Sequence, residues 1–259
     1  MGDRGAELVV EEDGPVRIVV LNRPDSFNAA DEALHHRLAE VWGELDADPA
    51  VGAIVLTGAG KAFSGGGDLD LLDRMVTDVE LRLSIMDEAI TIVRSMTAVR
   101  VPIVAAVNGP AVGLGCSLSS MCDVVLIEEN AYFADPHVTL GLVAADGGAL
   151  TWPLLTSLLR AKEYLLLGDR LPATDAVALG LANRVVPQGE SRAEAVALAH
   201  RLAALPPQSV RETKALLNRA VRAAVESVLV DAVASETASF EEPAFQANLA
   251  RMLDRSRKA

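Results

Sequence analysis

The stretch VPIVAAVNGPAVGLGCSLSSMCDV, residues 101–124, places a glycine turn around Leu114 between a buried apolar run and a short helical segment. The stretch LTGAGKAFSGGGDL, residues 56–69, repeats this order, with three glycines at 65–67 between an apolar run and a helical segment. Because glycine carries no side chain, such turns leave backbone N–H groups open to a ligand that develops negative charge. A single glycine turn of this kind is explained by the need for a tight turn between a strand and a helix. Two such turns in one chain weaken this explanation and favour a functional role.

Apolar strands alternate with helices on both sides of these turns, which predicts a mainly parallel α/β core. The expected elements are a hairpin of strands at 8–10 and 16–21, a helix from Asp31 to about Leu45, a strand at 51–58, one long helix from about Leu69 to Met96, a strand at 123–130 and a helix over 151–169. From about Ala173 the chain is helical and rich in alanine, interrupted by a short strand at 183–187. The last third is therefore expected to be a helical appendage.

Composition narrows the possible partners. The 259 residues fit one large domain or one domain with a smaller appendage, and 51% of them are hydrophobic although only 3% are aromatic. The formal net charge of −13 argues against binding to nucleic acid or to an anionic membrane, which require basic residues. The chain has no apolar run of 18 residues, no apolar signal at its start and no zinc spacing between Cys116 and Cys122, so we expect a reduced, cytoplasmic protein without a membrane span.

A third stretch, FADPHVTLGLVAADGG at residues 133–148, places His137 nine residues before Asp146 in an apolar surrounding. In one interpretation the two residues form a catalytic pair, since histidine titrates near neutrality and an aspartate on its ring would orient it. In the other, His137 is a structural core residue and Asp146 caps the next helix. The chain has four histidines, at 35, 36, 137 and 200, and their spacing indicates no metal cluster.

Together with RIVVLNRPDSFNA at residues 17–29, these three stretches resemble the crotonase superfamily, whose members include enoyl-CoA hydratases and isomerases. The resemblance implies a ββα spiral core over residues 1–190 and a helical C-terminal region over 191–259 that serves trimerisation and covers the active site. It also implies a homotrimer or a dimer of trimers. By position, the backbone N–H groups of Gly67 and Leu114 would form the oxyanion hole that holds the oxygen of an enolate.

The chain departs from the hydratase pattern at both catalytic glutamates, whose places are taken by Ser117 and His137. The two-glutamate addition of water therefore does not carry over. A His–Asp pair resembles 6-oxocamphor hydrolase and related β-diketone hydrolases, which implies that His137 moves protons with Asp146 as its partner. Glu236 is a possible counterpart of a late glutamate in those enzymes, whereas the place of their second histidine falls near Leu114 and is empty of histidine.

The ligand expected from the resemblance is an acyl-CoA thioester, with coenzyme A as part of the substrate, no tightly bound cofactor and no metal. The residues expected to bind substrate or CoA are Arg23, Lys61, Ala62, Gly65, Asp68, Gly113 and Ser117. Asp70 would repel a CoA phosphate, unless Arg74 one helical turn later compensates. Two alternatives stay open: a CoA-independent hydrolase that cleaves a C–C bond of a cyclic β-diketone, and a non-catalytic member that kept the fold as a binding module.

Overall fold

The computed structural model describes residues 7–258. Residues 1–6 of the predicted core and residue 259 of the predicted helical region lie outside the described residues. A six-stranded sheet carries strands in the order β1-β2-β3-β4-β6-β9. Its strands are β1 Leu8–Asp13, β2 Val16–Leu21, β3 Ala53–Gly58, β4 Ile103–Val107, β6 Val124–Glu128 and β9 Arg184–Val186. The first two strands pair antiparallel as the predicted hairpin, and every later neighbour pairs parallel, which confirms the mainly parallel core.

Both faces of the central strands β3 and β4 are buried, which explains why these two strands are largely apolar along their length. On one face, side chains such as Leu56 and Ala105 join the main core with the helices that follow the strands. On the other face, side chains such as Val55 and Val104 pack against Ala195 and its neighbours. The core therefore lies on both sides of the sheet, and the carboxyl ends of the strands are the places where polar residues emerge.

Eleven α-helices are present among the described residues, besides a short 3-10 helix at Pro24–Ser26. They are α1 Glu32–Ala47, α2 Leu69–Thr77, α3 Val79–Ala98, α4 Leu114–Ser120, α5 His137–Leu140, α6 Gly148–Leu155, α7 Leu158–Leu167, α8 Ala173–Leu179, α9 Ser191–Ala203, α10 Pro207–Ser239 and α11 Pro243–Ser256. Helix α1 begins as predicted, because the Asp31 side chain accepts a hydrogen bond from Leu34 N at 2.9 Å. None of the described helices is long and apolar enough to cross a membrane.

The single long helix predicted over residues 69–96 is wrong, since the structure breaks it at Asp78. This residue ends α2 and also caps α3, where its side chain accepts a hydrogen bond from Leu81 N at 3.0 Å. Aspartate competes with the helical backbone for hydrogen bonds, so it favours a helix start over a helix interior. The stretch 151–169 is mostly helical as predicted, in two helices, α6 and α7, of which Ser157 caps the second.

A second, three-stranded sheet positions the residues around the turns, in the order β5-β7-β8 with β5 Ala111–Val112, β7 Tyr132–Ala134 and β8 Leu171–Pro172. Strand β5 pairs parallel with β7, so the turn that follows β5 lies beside the segment that follows β7. Helix α9 packs on the main sheet, whereas α10 packs on α3 and α6, and α11 packs on α2 and α5. The C-terminal helices α10 and α11 therefore cover the ends of the elements that carry the turns.

Candidate active site

The two glycine turns meet backbone to backbone. A β-carbon on Gly66 would lie 3.0 Å from the carbonyl oxygen of Val112 and 3.8 Å from the α-carbon of Gly113. Gly66 has φ +94° and Gly113 has φ +51°, which are conformations that other residues adopt with strain. The first turn is fixed further by a hydrogen bond of 2.7 Å from Ala30 N to Gly66 O. Glycine is therefore required at this contact by space and by backbone geometry.

Next to this contact, the N–H groups of Gly67 and Leu114 donate no hydrogen bond to any acceptor within residues 7–258. Both residues line a cleft of about 740 Å³. An unpaired backbone N–H group is rare in a folded protein unless water or a ligand takes its place as a partner. The turns thus place two free donors on the wall of one cleft.

His137 is the first residue of α5, and it lines the same cleft. Its Nδ1 lies 2.5 Å from Oδ1 of Asp135, and its backbone N–H donates to the same oxygen at 3.3 Å. Asp135 follows β7 directly and its side chain is buried. The ring is therefore held through Nδ1, which leaves Nε2 as the nitrogen available for chemistry.

Asp146 lies on the Nε2 side of His137, with its Oδ2 at 3.8 Å from that nitrogen. Its other oxygen accepts a hydrogen bond of 2.9 Å from the Ser117 hydroxyl, which is fully buried. The prediction that Asp146 orients the ring by a hydrogen bond is wrong, because the short turn from Asp135 already reaches Nδ1. The alternative that Asp146 caps a helix is also wrong, since Gly147 is the cap residue of α6 and no side chain caps it.

Glu236, a possible site residue by resemblance, reaches the cleft from α10. Its Oε1 lies 3.9 Å from Nε2 of His137, and its side chain is buried. Its other oxygen has no hydrogen-bond partner within the described residues. Burial raises the pKa of Glu236 to about 8, although the positive charge of His137 acts in the opposite direction. Burial therefore favours the protonated form of this carboxyl group.

The charges of the cluster depend on one another. Burial alone would lower the pKa of His137, but the carboxylates of Asp135 and Asp146 outweigh it and raise that pKa well above its ordinary value. Burial would raise the pKa of Asp135, but His137 lowers it through its charge and hydrogen bonds. Burial raises the pKa of Asp146 in spite of His137. At neutral pH the site thus holds an imidazolium beside the ionised Asp135.

Asp135 was missed in the sequence, although the signal was an acid two residues before the histidine in ADPH. Its second oxygen is buried without a partner in the described part of the chain. A β-carbon on Gly148 would come within 2.3 Å of this oxygen, and one on Gly147 would lie 2.7 Å from the β-carbon of Ser117. The two adjacent glycines therefore leave the space that the two polar side chains occupy.

The structure separates the predicted substrate-binding residues into two groups. Those that line the cleft are Ala62, Gly65, Asp68 and Gly113, and those that do not are Arg23, Lys61 and Ser117. The guanidinium of Arg23 is engaged with Asp68 at 3.0 Å, with Asp31 at 3.1 Å and with the carbonyl of Ala29. Arg23 therefore braces the loop through Asp68 and Asp31, and its contact with CoA stays a prediction.

The mouth of the cleft carries exposed acids, Asp25 and Asp70. Arg74 does not compensate for Asp70, since its guanidinium pairs with Glu32 at 2.8 Å. Arg257, just after α11, also lines the cleft. No group of three or more His, Cys, Asp or Glu side chains in residues 7–258 is arranged to hold a metal ion.

Fold and cleft together define an α/β enzyme in which two glycine turns face a buried acid/base cluster. The family model described as "Enoyl-CoA hydratase/isomerase" matches residues 11–255. A probable enoyl-CoA hydratase of Mycobacterium bovis is 32% identical over 86% of this chain and 85% of its own. A putative enoyl-CoA hydratase of Thermus thermophilus is 39% identical over 81% and 83%. The crystal structure of an enoyl-CoA hydratase/isomerase from Mycobacterium paratuberculosis superposes with a TM-score of 0.94, at 49% identity, over 96% of this chain and 99% of that one.

The chain belongs to the enoyl-CoA hydratase/isomerase family, and the predicted crotonase-like fold with its C-terminal helices is confirmed. It is an enzyme of the hydratase and isomerase type. Of the two positions noted as departures from the hydratase pattern, His137 lines the cleft, whereas Ser117 is buried and donates a hydrogen bond to Asp146.

Proposed function

We propose that this enzyme acts on an acyl-CoA thioester through an enolate. The N–H groups of Gly67 and Leu114 bind the thioester oxygen, and His137 exchanges a proton with the carbon next to the carbonyl group. The observation that carries the proposal is the pair of unpaired N–H donors in the same cleft as His137. Preorganised donors of this kind stabilise the negative charge that develops on an enolate oxygen.

His137 is suited to proton transfer because its two ring nitrogens have different surroundings. Nδ1 is held by Asp135, which fixes the orientation of the ring and stabilises its charged form. Nε2 faces the carboxyl groups of Asp146 and Glu236 at 3.8 and 3.9 Å, which leaves room for a substrate atom or a water molecule. Ser117 restrains Asp146, so its role in the proposal is to position an acid and not to contact CoA.

The experiment is a calorimetric titration of the purified protein with acetyl-CoA and with free CoA, followed by turnover of enoyl-CoA and 3-hydroxyacyl-CoA thioesters. Micromolar binding together with turnover that is lost in His137→Ala supports the proposal. His200→Ala is the matched control, because His200 is half exposed on α9 and pairs with Asp13 outside the cleft. Absence of binding and of turnover overturns the proposal.

The exposed acids Asp25 and Asp70 at the mouth favour a second candidate, since they oppose a polyanionic ligand. In this candidate, His137 and Asp146 activate water to cleave a C–C bond of a cyclic β-diketone without CoA. The same free N–H groups would hold the enolate that leaves. Turnover of a cyclic β-diketone by a protein that does not bind CoA would select this candidate over the first.

Self-association into a homotrimer or a dimer of trimers is part of the first proposal. Helix α7 supports it, because four of its leucines are exposed: Leu158 by 55%, Leu159 by 80%, Leu166 by 60% and Leu167 by 57%. Exposed apolar patches on soluble proteins commonly mark interfaces. Light scattering behind a gel-filtration column measures the mass, and a monomer at micromolar concentration would contradict this part.

A further inference from the structure

A second histidine, which the site described above does not use, lines the same cleft. His35 lies on α1 and is only 6% exposed, yet it belongs to the wall of the cleft. Its Nδ1 lies 2.8 Å from Oε2 of Glu88 on α3. Its Nε2 has no hydrogen-bond partner within residues 7–258. A buried ring that is held by a carboxylate on one nitrogen is oriented with the other nitrogen left for a ligand.

Glu88 fixes the tautomer of this ring. Burial opposes its ionisation, but hydrogen bonds from His35 and His36 lower the pKa of Glu88 below its ordinary value. An ionised carboxylate can only accept hydrogen bonds, so Nδ1 of His35 is the donor. In the neutral ring the lone pair is then on Nε2, where it can accept a proton.

We propose that His35 is the base that accepts a proton from water in the hydration of an enoyl thioester, while protonated His137 is the acid. This inference rests on the acyl-CoA function proposed above. Water loses one proton to Nε2 of His35 and its oxygen bonds to C3 of the substrate. His137 gives one proton from Nε2 to C2, and the thioester oxygen returns to a carbonyl. The two histidines then exchange one proton through solvent, which restores the enzyme.

Such a division of labour replaces the two glutamates of the hydratase pattern. Their loss removed the acid and the base from the places that carry Ser117 and His137, and the two histidines restore one group of each kind. His137 lies beside the carboxyl groups of Asp135 and Asp146, which favour its charged form. The only carboxylate paired with His35 in the described residues is that of Glu88.

His36 supplies a matched control in the next position of the same helix. Its Nδ1 lies 2.9 Å from the other oxygen of Glu88, but its ring is exposed and does not line the cleft. Substitution of either histidine removes one hydrogen bond from the same carboxylate. Only substitution of His35 changes the wall of the cleft, so a difference between the two variants reports the role inside the cleft.

The experiment compares His35→Gln and His36→Gln in two assays: hydration of crotonyl-CoA, and exchange of the C2 protons of butyryl-CoA in D₂O followed by NMR. Exchange at C2 needs the oxyanion hole and His137, but hydration also needs a base for water. We expect His35→Gln to lower kcat for hydration by about 10²-fold or more and to retain exchange. We expect His36→Gln to stay within about two-fold of the wild type in both assays.

The outcomes separate the two proposals. If the wild type performs neither reaction, the acyl-CoA function fails and this inference fails with it. If the wild type performs both and the two variants hydrate equally well, or if it exchanges protons without hydrating, His35 is not the base. If Glu236→Gln loses hydration while His35→Gln retains it, the base is Glu236. Circular dichroism checks that His35→Gln is folded, and a second variant, His35→Asn, replaces it if it is not.

Discussion

The floor of the cleft, formed by His137 and its neighbouring acids, is buried, whereas the mouth of the cleft is exposed to solvent. At the floor, the side chains of His137 and its three acids are at most 12% exposed; Asp135 lies two residues from His137, whereas Asp146 and Glu236 come from other segments of the chain. At the mouth, Asp25 and Asp70 are exposed, as is Lys61, which precedes the lining residue Ala62, and water screens their charges. Interactions between buried charges are stronger because little water screens them. Substitutions at the floor are therefore expected to change activity far more than substitutions at the mouth.

The largest effect is expected for His137→Ala. Removal of a positioned acid/base group lowers kcat by about 10²- to 10⁴-fold, whereas His200→Ala should stay within about two-fold. The measurement is turnover of the best acyl-CoA substrate. Equal activities of the two variants would show that the floor does not carry the chemistry.

Asp135→Asn tests the partner of the ring with almost no change of size. The amide carries no charge, so the variant should lower the pKa of His137, which Asp135 helps to raise. We expect kcat to fall by about 10²-fold, because the orientation and the charged form of the ring are both weakened. NMR titration of the His137 ring measures the pKa. An unchanged ring pKa would show that Asp146 and Glu236 alone set it.

Gly148→Ala tests the space that Asp135 requires. The new β-carbon would lie 2.3 Å from Oδ2 of Asp135, so the carboxylate or the start of α6 must move. Overpacking of this kind costs about 1–3 kcal/mol of unfolding free energy. Gly43→Ala is the control, because Gly43 lies in α1 and a β-carbon added there would meet no atom within 4 Å. This substitution should stabilise the helix by about 0.5–1 kcal/mol. Chemical denaturation measures both, and equal effects would contradict the steric account.

Glu236→Gln tests the buried acid by its effect on stability. The pKa of Glu236 in the folded protein, about 8, lies above its ordinary value of 4.5. Between these values the folded state holds a proton that the unfolded state releases, so the stability of the wild type falls as the pH rises. The melting temperature of Glu236→Gln relative to the wild type should therefore rise from pH 5 to pH 8. A difference that stays constant with pH would show that Glu236 is ionised in the folded protein.

The smallest effect is expected for Lys61→Glu at the mouth. Lys61 is exposed and does not line the cleft, so reversal of its charge should change the Kd of CoA by no more than about two-fold. Calorimetry measures the Kd. A loss of binding of ten-fold or more would place the CoA phosphates beside Lys61, and the mouth would then contribute as much as the floor.

Local sequence patterns were sufficient for much of the fold. The hairpin, the Asp31 cap and the apolar strands are confirmed, because each depends on residues that are neighbours in the chain. The prediction of one helix through Asp78 is wrong. The apolar spacing continues on both sides of this residue, but aspartate favours the start of a helix over its interior. Periodicity alone does not reveal such a break.

The partners of the histidines show the corresponding limit for the site. Asp146 seemed the natural partner of His137 in the sequence, but whether a nine-residue loop returns to Nδ1 or to Nε2 is decided by how the loop packs. His35 and His36 are adjacent in the sequence, which does not show which of the two reaches the cleft. Only the packing of α1 on α3 turns His35 towards Glu88 and the cleft, with His36 outside.

By itself, the sequence determined the two strand–glycine–helix turns, the family and the place of His137, since these depend on short patterns that stay local in the folded chain. The tertiary structure alone decided that Glu236 arrives beside His137 from α10 and that Arg23 pairs with Asp68. The physical reason is that charges act over a few ångströms. Segments far apart in the sequence reach that distance only when the whole core has packed.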